Sequence, residues 1–151
     1  MTGRMIRLNQ KYLSCLSEQY TLESVHMFED DLSVYRVKSK RKTFWRRFFE
    51  DIVYLVLCND YVSPPDIDWM LDVISEVEKK EKVGSSYLCI VPMYNPTKEA
   101  CTWFNGKTFV HFILLDRQTN SLLFDRGYYY SGMKHVKQMI DIYQECFEQE
   151  K

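Results

Sequence analysis

The chain has 151 residues, a formal net charge of −1, 46% hydrophobic residues and 15% aromatic ones. That length fits one domain burying roughly two thirds of its unfolded surface, and that apolar content excludes a disordered chain. The near-neutral charge gives no overall pull toward nucleic acid or an anionic membrane, and no apolar run is long enough to span a bilayer as a helix.

From the N-terminus, Leu8, Tyr12, Cys15, Leu16 and Gln19 recur at helical spacing and predict a short amphipathic helix. Leu22 to Phe28 and Leu32 to Lys38 predict two strands joined by Glu29-Asp30-Asp31, an acidic tripeptide suited to a turn. In the second strand Val34 and Arg36 share one face, and Tyr35 and Val37 the other. Thr43 caps a predicted helix reaching Asn59, with Phe44, Phe48, Ile52 and Leu55 on one stripe and Trp45, Phe49, Val53 and Val56 on a second. So little of its circumference is polar that it is expected to be the central helix. A buried strand over Ile52 to Cys58 is the competing reading.

Ser63-Pro64-Pro65-Asp66 is the clearest helix start: serine caps and proline takes the first helical position. Ile67, Met70, Leu71, Ile74 and Val77 then mark the buried stripe, and Gly84 ends the element. Tyr87 to Met93 is a continuous apolar run, as in a strand buried on both faces. The segment from Asn95 to Lys107 reads as a loop with a short strand, and it carries Trp103 and Phe104. Thr108 to Leu115 and Ser121 to Tyr130 form a hairpin around Asp116 to Asn120. There Asp116 can bond the turn backbone, and Asn120 is the residue best able to take φ > 0. A last helix starts at Ser131 or Gly132 and aligns Met133, Val136, Ile140, Tyr143 and Phe147. The expected fold is therefore α+β: a two-layer sandwich in which a mixed or antiparallel sheet of about four or five strands, with a C-terminal hairpin, packs under three or four helices on one face.

Five cysteines (Cys15, Cys58, Cys89, Cys101, Cys146) are scattered without a CxxC or CxxH pair. This spacing argues against a zinc site and fits a reducing compartment better than a disulfide scaffold. Cys58 and Cys89, inside apolar runs, read as small core residues. No cofactor or metal is implied, and with five glycines the phosphate-binding and dinucleotide patterns are absent. Met1 to Lys11 is polar and basic and lacks the apolar core of a signal peptide, so the chain reads as cytoplasmic as it stands, and as periplasmic if a leader precedes it.

Four groups could carry function. Arg36, Lys38, Lys40, Arg41, Lys42, Arg46 and Arg47 put seven basic residues in twelve positions, with Phe44 and Trp45 interleaved. Such a set can neutralise phosphates and stack on bases, although a solvated connection whose charge is answered by acidic neighbours is the plainer reading. Cys89, His111 and Asp125 can be drawn as a nucleophile set if their strands are neighbours, but nothing local supports it, and a hydrogen-bonded strand histidine is the plainer account of His111. His135, on the last helix, is expected to be exposed. The carboxylates between Asp66 and Glu81 recur once per turn, as on a solvated helix face rather than in a converging acid/base pair. Tyr128 and Tyr130 share one strand face and, like Trp103 and Phe104, suit either core or a contact surface.

The second half, an apolar strand, a loop, a strand ending in Asp116-x-x-Thr119-Asn120, a returning strand and a helix, resembles the bacterial envelope lipoprotein domains related to the TolB N-terminal domain and the curli-secretion lipoprotein. Asn120 stands where that turn has glycine, a compatible exchange because both residues reach φ > 0. The resemblance spans about residues 85 to 130. It implies an exported α+β binding or assembly domain without catalysis. The expected function is thus non-enzymatic binding of a protein partner rather than nucleic acid, through candidates Arg41, Lys42, Trp45, Arg46, Arg47, Trp103, Phe104, Tyr128 and Tyr130. A small cytoplasmic inhibitor of immunity type is the alternative, and a hydrolase or nucleic-acid-processing enzyme using His111 and the basic segment is the third reading. Oligomeric state is not legible.

Overall fold

A computed structural model describes residues 2–29, 32–40, 52–58, 67–81, 86–93, 96, 102–104, 108–116, 118–124 and 133–150. Their elements follow the order α1 (Thr2–Leu16), β1 (Tyr20–Glu29), β2 (Leu32–Ser39), β3 (Val53–Cys58), α2 (Ile67–Glu81), β4 (Ser86–Met93), β5 (Thr102–Phe104), β6 (Phe109–Asp116), β7 (Ser121–Leu123) and α3 (Met133–Glu150).

All strands belong to one mixed sheet in the order β1-β2-β3-β4-β6-β5, with β7 also paired to β6. β1 and β2 pair antiparallel, as two strands joined by a short acidic turn are expected to, and β3 adds antiparallel to β2, whereas β3–β4 and β4–β6 are parallel. A parallel step needs a crossover, and α2 supplies it between β3 and β4. β5 and β7 share the far edge. Thr102 to Phe104 pairs with His111 to Phe109, and Ser121 to Leu123 pairs with Asp116 to Leu114. Among the described residues seven strands thus occupy six positions, more than the four or five expected.

The sheet is covered on both faces, which replaces the two-layer expectation with three layers. On one face α1 contributes Met5, Leu8, Tyr12 and Leu16, and α3 contributes Val136, Met139, Ile140, Tyr143 and Phe147. These pack on Val53, Leu55, Leu57, Leu88, Ile90, Ile113 and Leu115. On the other face Met70, Val73, Ile74 and Val77 of α2 pack on Tyr54, Val56, Cys58, Tyr87, Cys89, Val91, Val110, Phe112 and Leu114. Each helix spends its i, i+3/i+4 stripe on the sheet, and the period-2 alternation of the strands deals their residues to two cores. Each fully buried Leu or Val contributes about 1.5–3 kcal/mol of transfer free energy before entropy is counted.

The expected central helix over residues 43–59 is not formed at its C-terminal end: Val53 to Cys58 is β3, with every residue buried. The competing strand reading is the correct one there, and residues 43–51 lie outside the described set. A strand with helices on both sides has no polar face, so its apolar run offers helical stripes as readily as a strand pattern. Pairing with β2 and β4 decides the matter. α2 begins just after the Ser-Pro-Pro-Asp start, with Asp68 in its first turn and Lys79 and Lys80 in its last, each matching the helix dipole.

At the β6–β7 turn, Asp116 Oδ1 accepts hydrogen bonds from the amides of Gln118 at 2.9 Å and Thr119 at 3.4 Å. Asn120 takes φ 53°, as the turn chemistry predicts. The returning strand spans Ser121–Leu123, with Phe124 already outside it, and residues 125–130, Tyr128 and Tyr130 among them, lie outside the described residues.

Candidate functional site

The nucleophile set does not assemble. Leu88 and His111 are register partners on the parallel strands β4 and β6, as are Cys89 and Phe112. Leu88 belongs to the core under α1 and α3, whereas Cys89 and Phe112 belong to the core under α2. His111 therefore projects toward α1 and α3 while Cys89 projects to the opposite side, and a sheet backbone separates them. Both are buried. Burial also pushes the Cys89 thiol far above its ordinary range, the opposite of an activated nucleophile. Asp125 lies outside the described residues.

The first part of the basic segment finds partners within the fold. Arg36 is the cross-strand partner of Glu23, and its guanidinium meets that carboxylate at 2.6 Å while Lys38 approaches it at 3.6 Å. The hydrogen bond from Arg36, then the charge of Lys38, hold the Glu23 carboxyl below its usual range. Lys40 donates to the Ser17 carbonyl at 2.6 Å, stitching the end of β2 to the end of α1. Arg36 and Lys38 are answered by an acidic neighbour, as the plainer reading requires, whereas Lys40 meets a neutral carbonyl. Arg41, Lys42, Trp45, Arg46 and Arg47 lie outside the described residues. Trp103 and Phe104 fall in β5, opposite Val110 and Phe109, at the split edge of the sheet.

A polar chain links β1 to α3. The Tyr20 hydroxyl donates to Gln138 Oε1 at 2.7 Å, and its oxygen lies 3.3 Å from His135 Nδ1. With the hydroxyl hydrogen committed to Gln138, that contact is a hydrogen bond when His135 carries its proton on Nδ1. Gln138 Nε2 in turn donates to Gln19 Oε1. The Tyr20 and His135 rings meet edge to face, with centroids 5.8 Å apart. His135 is consequently buried, not exposed as expected, because its partner comes from a strand 115 residues away. Sequence inspection had no local signal for this chain.

The acidic stripe of α2 is a solvated face at Asp68, Asp72 and Glu76, as expected, while Glu78 is half-buried and accepts a hydrogen bond from the Thr108 hydroxyl. Among the described residues no three His, Cys, Asp or Glu side chains gather to hold a metal ion, and no helix is long and apolar enough to cross a membrane.

What remains is the outer edge of β1. It is ten residues long and terminal in the sheet, hydrogen-bonded to β2 on one side among the described residues. Its register shifts between Val25 and Glu29, and Thr21 and Ser24 are exposed along it.

No family model matches the chain, and no curated protein matches it. Among solved structures, the central domain of yeast acetyl-CoA carboxylase is similar at 11% identity over 74% of this chain and 20% of that one, with a TM-score of 0.34. A score that low does not establish a shared fold, and nothing of that enzyme's activity transfers.

Proposed function

We propose that the chain is a non-enzymatic protein-binding or assembly domain, whose partner adds an extended segment to the outer edge of β1. The observation that carries this reading is the position of β1: ten residues that, among the described residues, end a sheet whose two faces are already occupied by helices. A terminal strand presents a row of backbone donors and acceptors, and strand addition uses them for affinity while alternate side chains give selectivity. The bulge within β1 and the Glu23–Arg36–Lys38 charge cluster beside it make the edge unsuited to indiscriminate pairing and suited to a matched partner. The separation of Cys89 from His111 weighs against the hydrolase reading. An envelope assembly is the setting the hairpin resemblance implies, and it requires a leader peptide upstream in the reading frame.

The test is site-specific photo-crosslinking in the native host. A photoreactive residue at Ser24 on the edge should yield one discrete protein adduct that the same residue at Asp72, on the solvated face of α2, does not. No adduct at Ser24, or the same adducts at both positions, would rule out the β1 edge as the binding surface.

A further inference from the structure

Cys15 lies in the last turn of α1 and Cys146 one turn before the end of α3. Their sulfurs are 3.7 Å apart, with the Cys146 thiol donating to Cys15. One turn earlier on each helix, the Tyr12 and Tyr143 rings meet edge to face with centroids 4.9 Å apart. Gln19, just past α1, meets Gln138 near the start of α3, while Lys11 reaches Glu150 at its end, so α1 and α3 run side by side in opposite directions and the tyrosine and cysteine pairs meet where they cross. The tyrosine contact fixes the spacing at which the cysteines face one another. A disulfide holds its sulfurs about 2.05 Å apart, so closing the gap takes an approach of under about 2 Å, within reach of side-chain rotation.

The two thiols are not equivalent. Cys146 is buried, and burial, with the hydrogen bond to Cys15 adding to it, pushes its thiol up to about 12. The ammonium of Lys11 offsets part of this. Cys15 is half-buried and is the sulfur a small oxidant reaches first. Cys58 and Cys89, by contrast, are enclosed in the core under α2.

We propose that Cys15 and Cys146 form a reversible redox modification site, in which a small peroxide joins α1 to α3 through a disulfide and a dithiol reductant releases it. The Cys15 thiolate attacks one peroxide oxygen; the O–O bond breaks, the leaving hydroxide takes a proton to become water, and Cys15 becomes a sulfenic acid. The Cys146 sulfur then attacks the Cys15 sulfur, the S–O bond breaks, and the hydroxide leaves as a second water with the Cys146 proton. Two thiols and one peroxide thus give one disulfide and two waters. A dithiol reverses the step by exchange, becoming a disulfide itself. The bond closes a loop over most of the chain, from the end of the first helix to the end of the last. It therefore restrains the unfolded state far more than a local bridge would.

The experiment uses the full reduced chain exposed to a small molar excess of hydrogen peroxide near neutral pH. Free thiols are then alkylated and the protein is digested and mapped by mass spectrometry. The expected product is a peptide pair linked through Cys15 and Cys146, lighter by two hydrogens than the free pair and separated by dithiothreitol. The oxidised protein should melt at least about 5 °C higher than the reduced one. Cys15→Ser should lose both the link and the rise in melting temperature while keeping the reduced protein's circular dichroism. The proposal is overturned if Cys15 goes on to sulfinic acid, or stays free, without the linked peptide. It is equally overturned if the disulfides that form involve Cys101 or join two chains. The wild-type map decides the matter even if a variant fails to fold.

Discussion

Cys89 and His111 stand on neighbouring parallel strands, one register step apart, and project from opposite faces of the sheet. Proximity in the strand order therefore does not become proximity of the reacting atoms. Cys89, enclosed in apolar core with its thiol held far above the ordinary range, should resist labelling by a soluble disulfide reagent in the native protein. Stopped labelling followed by peptide mapping should show Cys89 modified only at the rate of global unfolding. Rapid modification would mean that the α2 face opens.

The centre of the sheet sets the largest stability effects. Leu55 on β3 is fully buried between Tyr35 and Leu88, its register partners on either side. Leu55→Ala should cost about 2–5 kcal/mol, by lost transfer free energy plus a cavity that helices on both sides prevent from collapsing. Leu22→Ala on the edge strand, where the side chain is half-buried, should cost less than half as much. Urea unfolding of the two variants with unchanged m-values checks the ordering.

The Tyr20 hydroxyl is the middle link between His135 and Gln138. Tyr20→Phe should destabilise by about 1–2 kcal/mol, because it leaves two buried or half-buried polar groups without the oxygen they address. A double-mutant cycle with Gln138→Ala should return a coupling of at least about 0.5 kcal/mol, whereas additive losses would show that the chain acts only through packing.

Glu23 makes stability depend on pH in a defined sense. Its carboxyl is held below the ordinary 4.5 by Arg36 and Lys38. A depressed folded value contributes stability that is present above the unfolded value and is lost as pH falls through the folded one. Glu23→Gln should therefore narrow the gap to wild type as pH drops below the ordinary carboxylate range, with the two unfolding curves converging at the most acidic end. A gap that stays constant across that range would assign the effect to packing.

Asn120 occupies φ 53° in the turn between β6 and β7. Asn120→Gly should be neutral to within about 0.5 kcal/mol, since glycine reaches this region without steric cost. Asn120→Val should cost about 1–2 kcal/mol, because a β-branched side chain crowds the backbone there. Thermal unfolding of the pair separates backbone strain from loss of the amide group.

That turn was legible because its chemistry is local: Asp116, Thr119 and Asn120 carry the geometry within five residues. The same holds for α2, whose start signal and apolar stripe lie in one stretch, and for the antiparallel pairing of β1 with β2, where a short acidic turn and alternation are visible. β3 was not legible as a strand by the same means, since burial on both faces erases the alternation that would mark it. The two-sided cover escaped for a related reason. Each helix shows one apolar stripe, and nothing within a stripe tells which face of the sheet it meets. His135 and the Cys15–Cys146 contact depend on partners from the far end of the chain, so no spacing rule could reveal them. Of the proposed contact residues, the structure assigns Trp103 and Phe104 to the split edge beside β6.

The split edge has a consequence for stoichiometry. Among the described residues β5 and β7 each offer three residues, so that side of the sheet presents there no run long enough to template a further strand. Polymers built by strand addition need two receptive borders on every subunit, one to give and one to receive. Among the described residues one border offers ten residues and the other a broken line, so a partner that pairs with β1 as proposed should yield a finite complex, one partner per copy or a closed pair, and not a growing fibre.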